Sequence, residues 1–326
     1  MDDHWAMRSL GNPEPAVWAP EIPADTDVVW HYTNTEGLIG ILSAGPALRA
    51  THYRFLNDTE ELEYGFCLLE QLWQEYGAQL APDQDLQGLV DGAIAYARSS
   101  TTRRELYVAC ASLTRDSLAQ WRGYAGGAGY SIGFKAHQDM HVQGFSSVAL
   151  TPAHEVGEAR IPDPFDVRIP PAWRRVVYDQ GEQEVLLLDV LRYLVGDIGG
   201  SGMSCDAAET LAEYLITNLL YVKHPAFQEE SEVRAVTAFS PRYRRQFRAG
   251  AYGVTPFVTL MGRDKDNLNP GTSVHEQISE NRLDVAEVMV GPCSDREAAA
   301  LGAALLLETQ GMVDAVVSRS SAPYRQ

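Results

Sequence analysis

The chain has few cysteines, and it lacks a long uninterrupted run of apolar residues. Its four cysteines, Cys67, Cys110, Cys205 and Cys293, lie far apart and form no CxxC motif. This spacing argues against a disulfide framework or a metal site and is typical of reduced thiols in a cytoplasmic protein. No segment approaches the ~18 consecutive apolar residues of a membrane span, and the N-terminus has no basic-then-apolar signal peptide. We therefore expect a cytoplasmic protein that has no membrane partner.

Positive charge is scarce as well. The 326 residues include 26 Lys and Arg against 44 Asp and Glu, which gives a formal net charge of −18. General binding to nucleic acid depends on clustered Lys and Arg, so this charge counts against a polyanion-binding surface. The one dense basic stretch is RYRRQFR at 242–248, and its simplest interpretation is a solvated loop between strands.

The spacing of apolar residues predicts an α+β fold. Strand patterns occur early, in the middle and late in the chain, at 27–33, 105–114 and 285–292 for example. Helical patterns at 182–195 and 205–227 are inserted between these groups of strands. Strands and helices that do not alternate strictly favour a mixed or antiparallel central sheet over a doubly wound one.

Domain organisation follows from composition. Residues 1–26 contain several prolines and few periodic apolar positions, which predicts a loosely ordered lead-in. No linker divides the remainder, so we expect residues 27–326 to form a single domain. The stretch 262–277 is rich in Gly, Asn and Asp and is the best candidate for a mobile loop.

Three polar clusters interrupt otherwise apolar elements and are candidate ligand sites. The first ends the first strand, the second precedes a helix that opens with Asp58, Glu60, Glu61 and Glu63, and the third crowds a short helix before a Gly-rich bend. Arg side chains can clamp a phosphate, and aromatic rings can stack on a planar ligand. The glutamates that open the second helix are more simply read as surface residues that complement its dipole. The candidate residues of the three clusters are His31, Tyr32 and Thr33; Tyr53 and Arg54; and Trp121, Arg122 and Tyr124.

A fourth cluster is the stretch FQEESEVRAV at 227–236, which Lys223 and His224 precede. Glu230, Glu232 and Arg234 follow the two-residue period of a strand, which predicts that both carboxylates lie on one face of it. A strand that begins with two carboxylates on one face is a candidate site for acid–base or electrostatic catalysis.

Several motifs together resemble a known bacterial family. They are HYTNTEGLIGIL, RFLNDTEELEYG, CASLTRDSLAQWRGYAGGAGYSIGF, VKHPAFQEESEVR and the ending VGP…VSRSSAPYR, which span about residues 28–325. In type and order they are similar to the domain-of-unknown-function family that includes the AbiGi-like abortive-infection proteins. This resemblance implies a role in phage defence or a toxin–antitoxin context, with a partner protein encoded in the same operon, but it implies no defined activity.

A more distant resemblance is to ADP-ribosyltransferases of the His–Tyr–Glu kind. His31 on the first strand, Tyr53 or Tyr124 as the aromatic residue, and Glu230-x-Glu232 at the start of a late strand occur in the same order here. The resemblance implies an ADP-ribosyltransferase-like fold and NAD as substrate. It places Glu232 at the developing positive charge, Glu230 at the acceptor, His31 at the other ribose, Arg54 at the pyrophosphate and an aromatic ring at the nicotinamide.

The chemistry of NAD cleavage fits these residue types. Breaking the nicotinamide–ribose bond passes through an oxocarbenium-like state that a nearby carboxylate stabilises. Water as the acceptor gives an NAD glycohydrolase, whereas a protein or nucleic-acid nucleophile gives an ADP-ribosyltransferase.

Two other classes of function stay open from the sequence. Asp58, Glu230, Glu232 and Lys223 could hold a divalent ion and a phosphodiester, as in a metal-dependent nuclease. Alternatively, the charged residues only form a buried ion-pair network with Arg234, in a non-catalytic sensor or antitoxin module.

Overall fold

A computed structural model describes residues 17–43, 45–56, 60–100, 104–124, 129–143, 167–201, 205–239, 245–250, 253–262 and 282–323. The expected α+β class is confirmed, because the described residues form one mixed sheet together with a group of helices. The strands are β1 (Val28–Asn34), β2 (Leu48–His52), β3 (Leu106–Ser112), β4 (Gly129–Lys135), β5 (Met140–Val142), β6 (Val167–Ile169), β7 (Trp173–Arg175), β8 (Glu232–Phe239), β9 (Gln246–Gly250), β10 (Gly253–Gly262), β11 (Val285–Val290) and β12 (Val316–Arg319). The helices are α1 (Thr35–Leu42), α2 (Glu60–Leu80), α3 (Gln84–Ser99), α4 (Leu118–Tyr124), α5 (Gln180–Ser201), α6 (Cys205–Leu219) and α7 (Arg296–Thr309).

The main path of the sheet runs β12-β11-β4-β1-β3-β2-β10-β5, and β8 pairs with β3 outside this path. Strand pairs are antiparallel except for β11 and β12, which are parallel. Parallel pairing there is possible because α7 supplies the crossover connection between these two strands.

Residues on alternate positions of β3 and β8 face two different cores. Leu106, Val108 and Val236 pack among the apolar residues of α2, α3, α5 and α6. Tyr107 and Ala235, on the opposite face, pack in a second core with α1 and α7. The two-residue period of a strand thus separates a helical layer from the other side of the sheet.

Several predicted boundaries need correction. The helix predicted over 205–227 ends at Leu219, and residues Pro225–Glu230 form a separate 3₁₀ helix. Asp295 caps α7 in place of Ser294, since its side chain accepts hydrogen bonds from the amides of Glu297 and Ala298. Part of the basic stretch 242–248 lies in strand β9, which is exposed throughout.

The predicted lead-in is ordered in its described part. Residues 1–16 lie outside the described residues, whereas Ala19 and Ile22 are buried. The amide of Trp18 donates to Asn218 Oδ1 over 2.8 Å, and Arg174 Nη1 donates to the Ala19 carbonyl over 2.8 Å. Most of the predicted loop at 262–277 and the predicted cap Asp58 lie outside the described residues.

Candidate functional site

Strand β3 pairs with one strand, β8, on one edge and with two strands, β1 and β2, on the other. Strand β8 pairs with β3 along its whole length, from Leu106 to Ser112. On the other edge, β2 pairs with Tyr107 and Val108, and β1 pairs with Ser112. Strands β1 and β2 therefore diverge from a common edge, and Cys110 lies between their two points of contact.

His31 fills this gap in the hydrogen-bond ladder. Its Nδ1 lies 2.8 Å from the carbonyl oxygen of Cys110, and because a carbonyl only accepts, Nδ1 carries the proton. Burial lowers the pKa of His31, against the opposing effect of this hydrogen bond. Residue His31 is therefore a neutral imidazole that donates through Nδ1 at neutral pH.

Strand β8 aims a carboxylate and a guanidinium at the helical layer. Arg234 lies opposite Cys110, and Glu232 lies opposite Ser112. Arg234 Nε donates to Glu232 Oε1 over 2.8 Å, and its Nη2 donates to Glu232 Oε2 over 2.8 Å. Its Nη1 donates to the carbonyl of Leu220 over 2.5 Å, which ties β8 to the end of α6.

Lys223 gathers three carboxylates. Its Nζ lies 2.8 Å from Glu61, 2.6 Å from Glu230 and 3.1 Å from Glu232. Glu61 also accepts from Arg234 Nη2 over 2.6 Å. We refer to Glu61, Lys223, Glu230, Glu232 and Arg234 as the ionic cluster.

Glu230 reaches the ionic cluster from outside the strand. It is the last residue of the 3₁₀ helix and not part of β8, so the prediction that both glutamates share one strand face is wrong. Ser231 between them has φ 45°, a left-handed conformation that turns the chain sharply into the strand. The Glu230 backbone carbonyl accepts from Ser112 Oγ over 2.7 Å and from Gln120 Nε2 over 3.2 Å, which fixes this turn.

The position of Glu61 also differs from its prediction. The sequence predicts Glu61 at the surface of α2, but its side chain is only 11% exposed and binds both Lys223 and Arg234. Gly65, one turn later on the same face, explains the approach, because a Cβ there would lie 3.3 Å from Leu219 Cδ2. The missing side chain lets α2 pack closely against the end of α6. Lys223 lies four residues after that end, within reach of Glu61.

Burial and charge in the ionic cluster act in opposite directions. Burial alone would raise the pKa of Glu232, but Arg234, Lys223 and a hydrogen bond from the Cys110 thiol lower it to about 2. Burial would lower the pKa of Lys223, yet Glu232 and Glu61 raise it above its usual value. Burial and then Glu232 raise the pKa of the Cys110 thiol well above its ordinary value. Glu232 and Lys223 therefore stay charged, and the Cys110 thiol stays protonated, at neutral pH.

The ionic cluster has an aromatic rim. The Phe227 ring lies 5.0 Å from Lys223 Nζ and is 39% exposed, and Tyr124 is 43% exposed. Burial of its hydroxyl, and then the nearby Glu230 carboxylate, raise the pKa of Tyr124 to about 12. Glu230 has a side chain 23% exposed, whereas Glu232 is 8% exposed. The ionic cluster is therefore exposed to solvent mainly at Glu230, beside the Phe227 and Tyr124 rings.

The structure brings some predicted residues together and separates others. His31, Tyr124, Glu230 and Glu232 lie on or next to β3 and the start of β8, linked by Cys110 and Gln120.

Two of the predicted aromatic residues have structural partners. The hydroxyl of Tyr32 donates to the Thr114 carbonyl over 2.8 Å and accepts from the Ser117 amide over 2.9 Å. Its ring packs against Trp121, whose Nε1 donates to Asp116 over 2.7 Å. Both side chains are buried, so they support the first strand and do not offer a free stacking surface.

The remaining predicted residues lie apart from the ionic cluster in their contacts. Thr33 packs against Gly37 of α1, where a Cβ would collide with its hydroxyl oxygen. Tyr53 is buried and stacks on His52. Arg54 and Arg122 are exposed, and no contact among the described residues joins either of them to the ionic cluster. The ligand-binding roles of these residues stay predictions.

Four residues of the site were not predicted as candidates: Glu61, Cys110, Tyr178 and Phe227. The Tyr178 hydroxyl accepts a hydrogen bond from the Glu232 amide over 3.1 Å and so holds the first residue of β8 in place. A glutamate four residues before a helix glycine was the available signal for Glu61. The residues next to Cys110 and Tyr178 in the sequence give no sign that either belongs to the site.

Two further observations bear on the class of protein. In the part of the chain that the structure describes, no helix is long and apolar enough to cross a membrane. The same residues hold no group of three or more His, Cys, Asp or Glu side chains arranged to bind a metal ion, since the carboxylates of the ionic cluster converge on an ammonium group.

A comparison with protein families bears on the middle of the chain. A family model described as a protein of unknown function, DUF2971, matches residues 120–235, from α4 into β8. This range includes Lys223, Glu230, Glu232 and Arg234 but not His31 or Glu61. No curated protein and no solved structure matches the chain. The resemblances to AbiGi-like proteins and to ADP-ribosyltransferases stay predictions.

Proposed function

We propose that the protein cleaves the nicotinamide–ribose bond of NAD at the ionic cluster, as an ADP-ribosyltransferase or NAD glycohydrolase-like effector. The observation that carries this proposal is a charge imbalance beside an exposed aromatic rim. Three carboxylates face two cations, which leaves one formal negative charge, and Glu230 is the most exposed of the three carboxylates.

An unbalanced negative charge suits this reaction. The sugar ring becomes positively charged as nicotinamide leaves, and a fixed carboxylate stabilises that charge without reorganisation. In a buried site the attraction is stronger than in water. Buried ion networks contribute little net stability, so an unbalanced one favours a functional explanation.

The geometry suggests a division of roles that differs from the one the resemblance implies. Both oxygens of Glu232 accept hydrogen bonds from Arg234, and Oε2 also contacts Lys223. In our proposal Glu230 is the carboxylate that meets the ribose, while Glu232 orients Lys223 and supplies charge. Tyr124 and Phe227 supply a surface for the nicotinamide ring. His31, whose neutral Nε2 is available as an acceptor, would hold a ribose hydroxyl.

The test is release of nicotinamide from NAD by the purified chain. We expect Glu230→Gln to lower kcat by about 100-fold or more, the usual effect of losing a group that stabilises transition-state charge. Glu229→Gln is the matched control, since Glu229 is the exposed neighbour of Glu230 on the same 3₁₀ helix and has no described contact with the ionic cluster. Label transfer from NAD to protein or nucleic acid, in place of hydrolysis, would identify a transferase. If the folded wild type releases no nicotinamide and transfers no label, the proposal is wrong.

One observation favours a second candidate, a non-catalytic sensor or antitoxin module. Arg234 is fully engaged by Glu232, Glu61 and a carbonyl, as in a purely structural network. In that case Glu230→Gln would change the melting temperature or partner binding while NAD stays intact. Degradation of DNA or RNA that depends on Mg²⁺ or Mn²⁺ would instead identify a nuclease.

A further inference from the structure

Two neighbouring arginines, Arg49 and Arg248, lie close together in this acidic protein without a carboxylate partner. Among the described residues, neither Arg49 nor Arg248 forms an ion pair, although Asp and Glu outnumber Lys and Arg by 44 to 26. Nine other arginines of the described residues pair with a carboxylate: Arg98, Arg104, Arg115, Arg174, Arg175, Arg192, Arg234, Arg245 and Arg319. Four more, Arg54, Arg122, Arg282 and Arg296, form no ion pair among these residues either. Arg49 and Arg248 differ from those four because they lie close enough to repel each other.

The register of three strands places the two arginines on one face. Thr51 of β2 lies opposite Phe257 of β10, and Arg49 is two residues before Thr51 on the same face. The Arg49 guanidinium lies over the Phe257 ring at 5.2 Å. Arg248 of β9 donates from Nη2 to Thr51 Oγ1 over 3.1 Å. Partial burial, and then repulsion from Arg49, lower the pKa of Arg248, as expected for two neighbouring cations.

This arginine pair lies beside the gap that His31 occupies. Thr51 pairs with Val108 of β3, and His31 binds the carbonyl of Cys110, two residues further along the same strand. Two residues of a strand span about 7 Å. Val108, which pairs with Thr51, and Cys110, which binds His31, are therefore about 7 Å apart along β3. Arg248 is also close enough to His31 for its charge to lower the pKa of the imidazole. Thr51 and the arginines share the sheet face of Val108, whereas His31 leaves β1 on the face of Ile132. An anion held by the arginines would therefore meet His31 through the gap where β1 and β2 diverge.

We propose that Arg49 and Arg248 form a diphosphate-binding subsite that holds the pyrophosphate of the dinucleotide beside His31. The proposal rests on NAD being the substrate. Guanidinium groups bind phosphate oxygens through charge-assisted, bidentate hydrogen bonds, and two cations close together gain most from a dianionic ligand. Thr51 holds one N–H of Arg248, which fixes the fork of the guanidinium before the ligand arrives. This subsite takes the role that the resemblance assigns to Arg54.

Calorimetric titration of the whole chain tests the subsite without any catalytic step. The probes are inorganic pyrophosphate and ADP-ribose, with ribose as the uncharged reference. We expect Arg49→Gln and Arg248→Gln each to weaken binding of both anionic probes by at least tenfold, the loss of about one good hydrogen-bonded charge contact. Arg248→Lys keeps the charge but not the fork and should lie between. Added salt should weaken wild-type binding, because the contacts are partly exposed.

One control variant and one rival variant keep the result specific. The control, Arg192→Gln, removes an exposed arginine of α5 that pairs with Asp189 and should leave the affinities unchanged. The rival, Arg54→Gln, tests the assignment that the resemblance implies: unchanged affinities support the subsite at Arg49 and Arg248, and a loss found in Arg54→Gln alone would contradict it. Circular dichroism and melting temperatures establish that each variant is folded.

The outcomes separate this subsite from the proposed function. Binding of pyrophosphate that depends on Arg49 and Arg248, in a chain that does not cleave NAD, would support the subsite and contradict the proposed function. Nicotinamide release that depends on Glu230, with a KM for NAD that is unchanged in Arg248→Gln, would support the proposed function and contradict the subsite. Absence of pyrophosphate and ADP-ribose binding by the wild type, or equal affinities in all variants, would overturn the subsite.

Discussion

Glu232 and Arg234, two residues apart on β8, form a bidentate ion pair on the buried face of the sheet. The two bonds, Nε to Oε1 and Nη2 to Oε2, are each 2.8 Å long. This contact connects the rest of the ionic cluster, because Glu61 binds Arg234 and Lys223 binds Glu232. Among the described residues, the Glu230 side chain contacts only Lys223 of the other cluster members, so Glu230 is the carboxylate that is best placed for a ligand.

Replacing Arg234 should strongly destabilise the protein. Arg234→Met removes the main partner of Glu232 and one partner of Glu61, and it leaves Lys223 as the remaining cation for both carboxylates. Breaking a buried pair from one side costs about 3–5 kcal/mol of unfolding free energy. Urea unfolding of both proteins at neutral pH measures this difference.

Arg175 provides the matched control for that experiment. It lies on the neighbouring strand β7 and pairs with Glu182 at 3.8 Å, with a side chain 35% exposed. An exposed pair of this kind contributes about 0–1 kcal/mol, so Arg175→Met should unfold close to the wild type. If both variants lose the same free energy of unfolding, the buried pair stabilises the fold no more than the exposed one.

Acid should remove the stabilising effect of Glu232. Its pKa falls from 4.5 in the unfolded chain to about 2 in the folded one, so its contribution is complete above pH 4.5 and is lost as pH falls through about 2. This shift corresponds to roughly 3 kcal/mol. Denaturant unfolding from pH 6 to pH 2 should therefore show a smaller loss of stability in Glu232→Gln than in the wild type. Glu229→Gln should keep the wild-type pH dependence, and a wild-type slope in Glu232→Gln would contradict the assignment.

A side chain at position 65 should disturb the ionic cluster from a distance. A Cβ at Gly65 would already lie 3.3 Å from Leu219 Cδ2 and 3.4 Å from Leu219 Cβ. Gly65→Val should therefore push α2 away from α6, move Glu61 off Lys223 and Arg234, and cost about 1–3 kcal/mol through overpacking.

The control for Gly65 is another helix glycine with free space around it. Gly88 of α3 has no atom within 4 Å of an added Cβ. Gly88→Val should be neutral or slightly stabilising, since valine has a higher helix propensity than glycine. Thermal unfolding and nicotinamide release of both variants test the idea, which fails if Gly65→Val behaves like Gly88→Val.

Part of the candidate site could be read from the sequence. The two-residue period around Glu232 and Arg234 predicted a strand with charged residues on one face, and β8 has this arrangement. The same period gave the wrong element for Glu230, because a left-handed Ser231 separates it from the strand. Local periodicity carries no information about one residue with φ above zero.

The sequence by itself determined the α+β class, the strongest helices and the charged face of β8, since periodicity and caps act over a few residues. Tertiary structure alone decided that Glu61 is mostly shielded from solvent, that Cys110 and Tyr178 support Glu232, and that Arg248 binds Thr51 within electrostatic range of His31. Those contacts join residues more than a hundred positions apart in several cases, such as Glu61 with Arg234. Helix packing at Gly65 and the divergence of β1 and β2 from β3 create them, and neither feature is encoded in any short stretch of the chain.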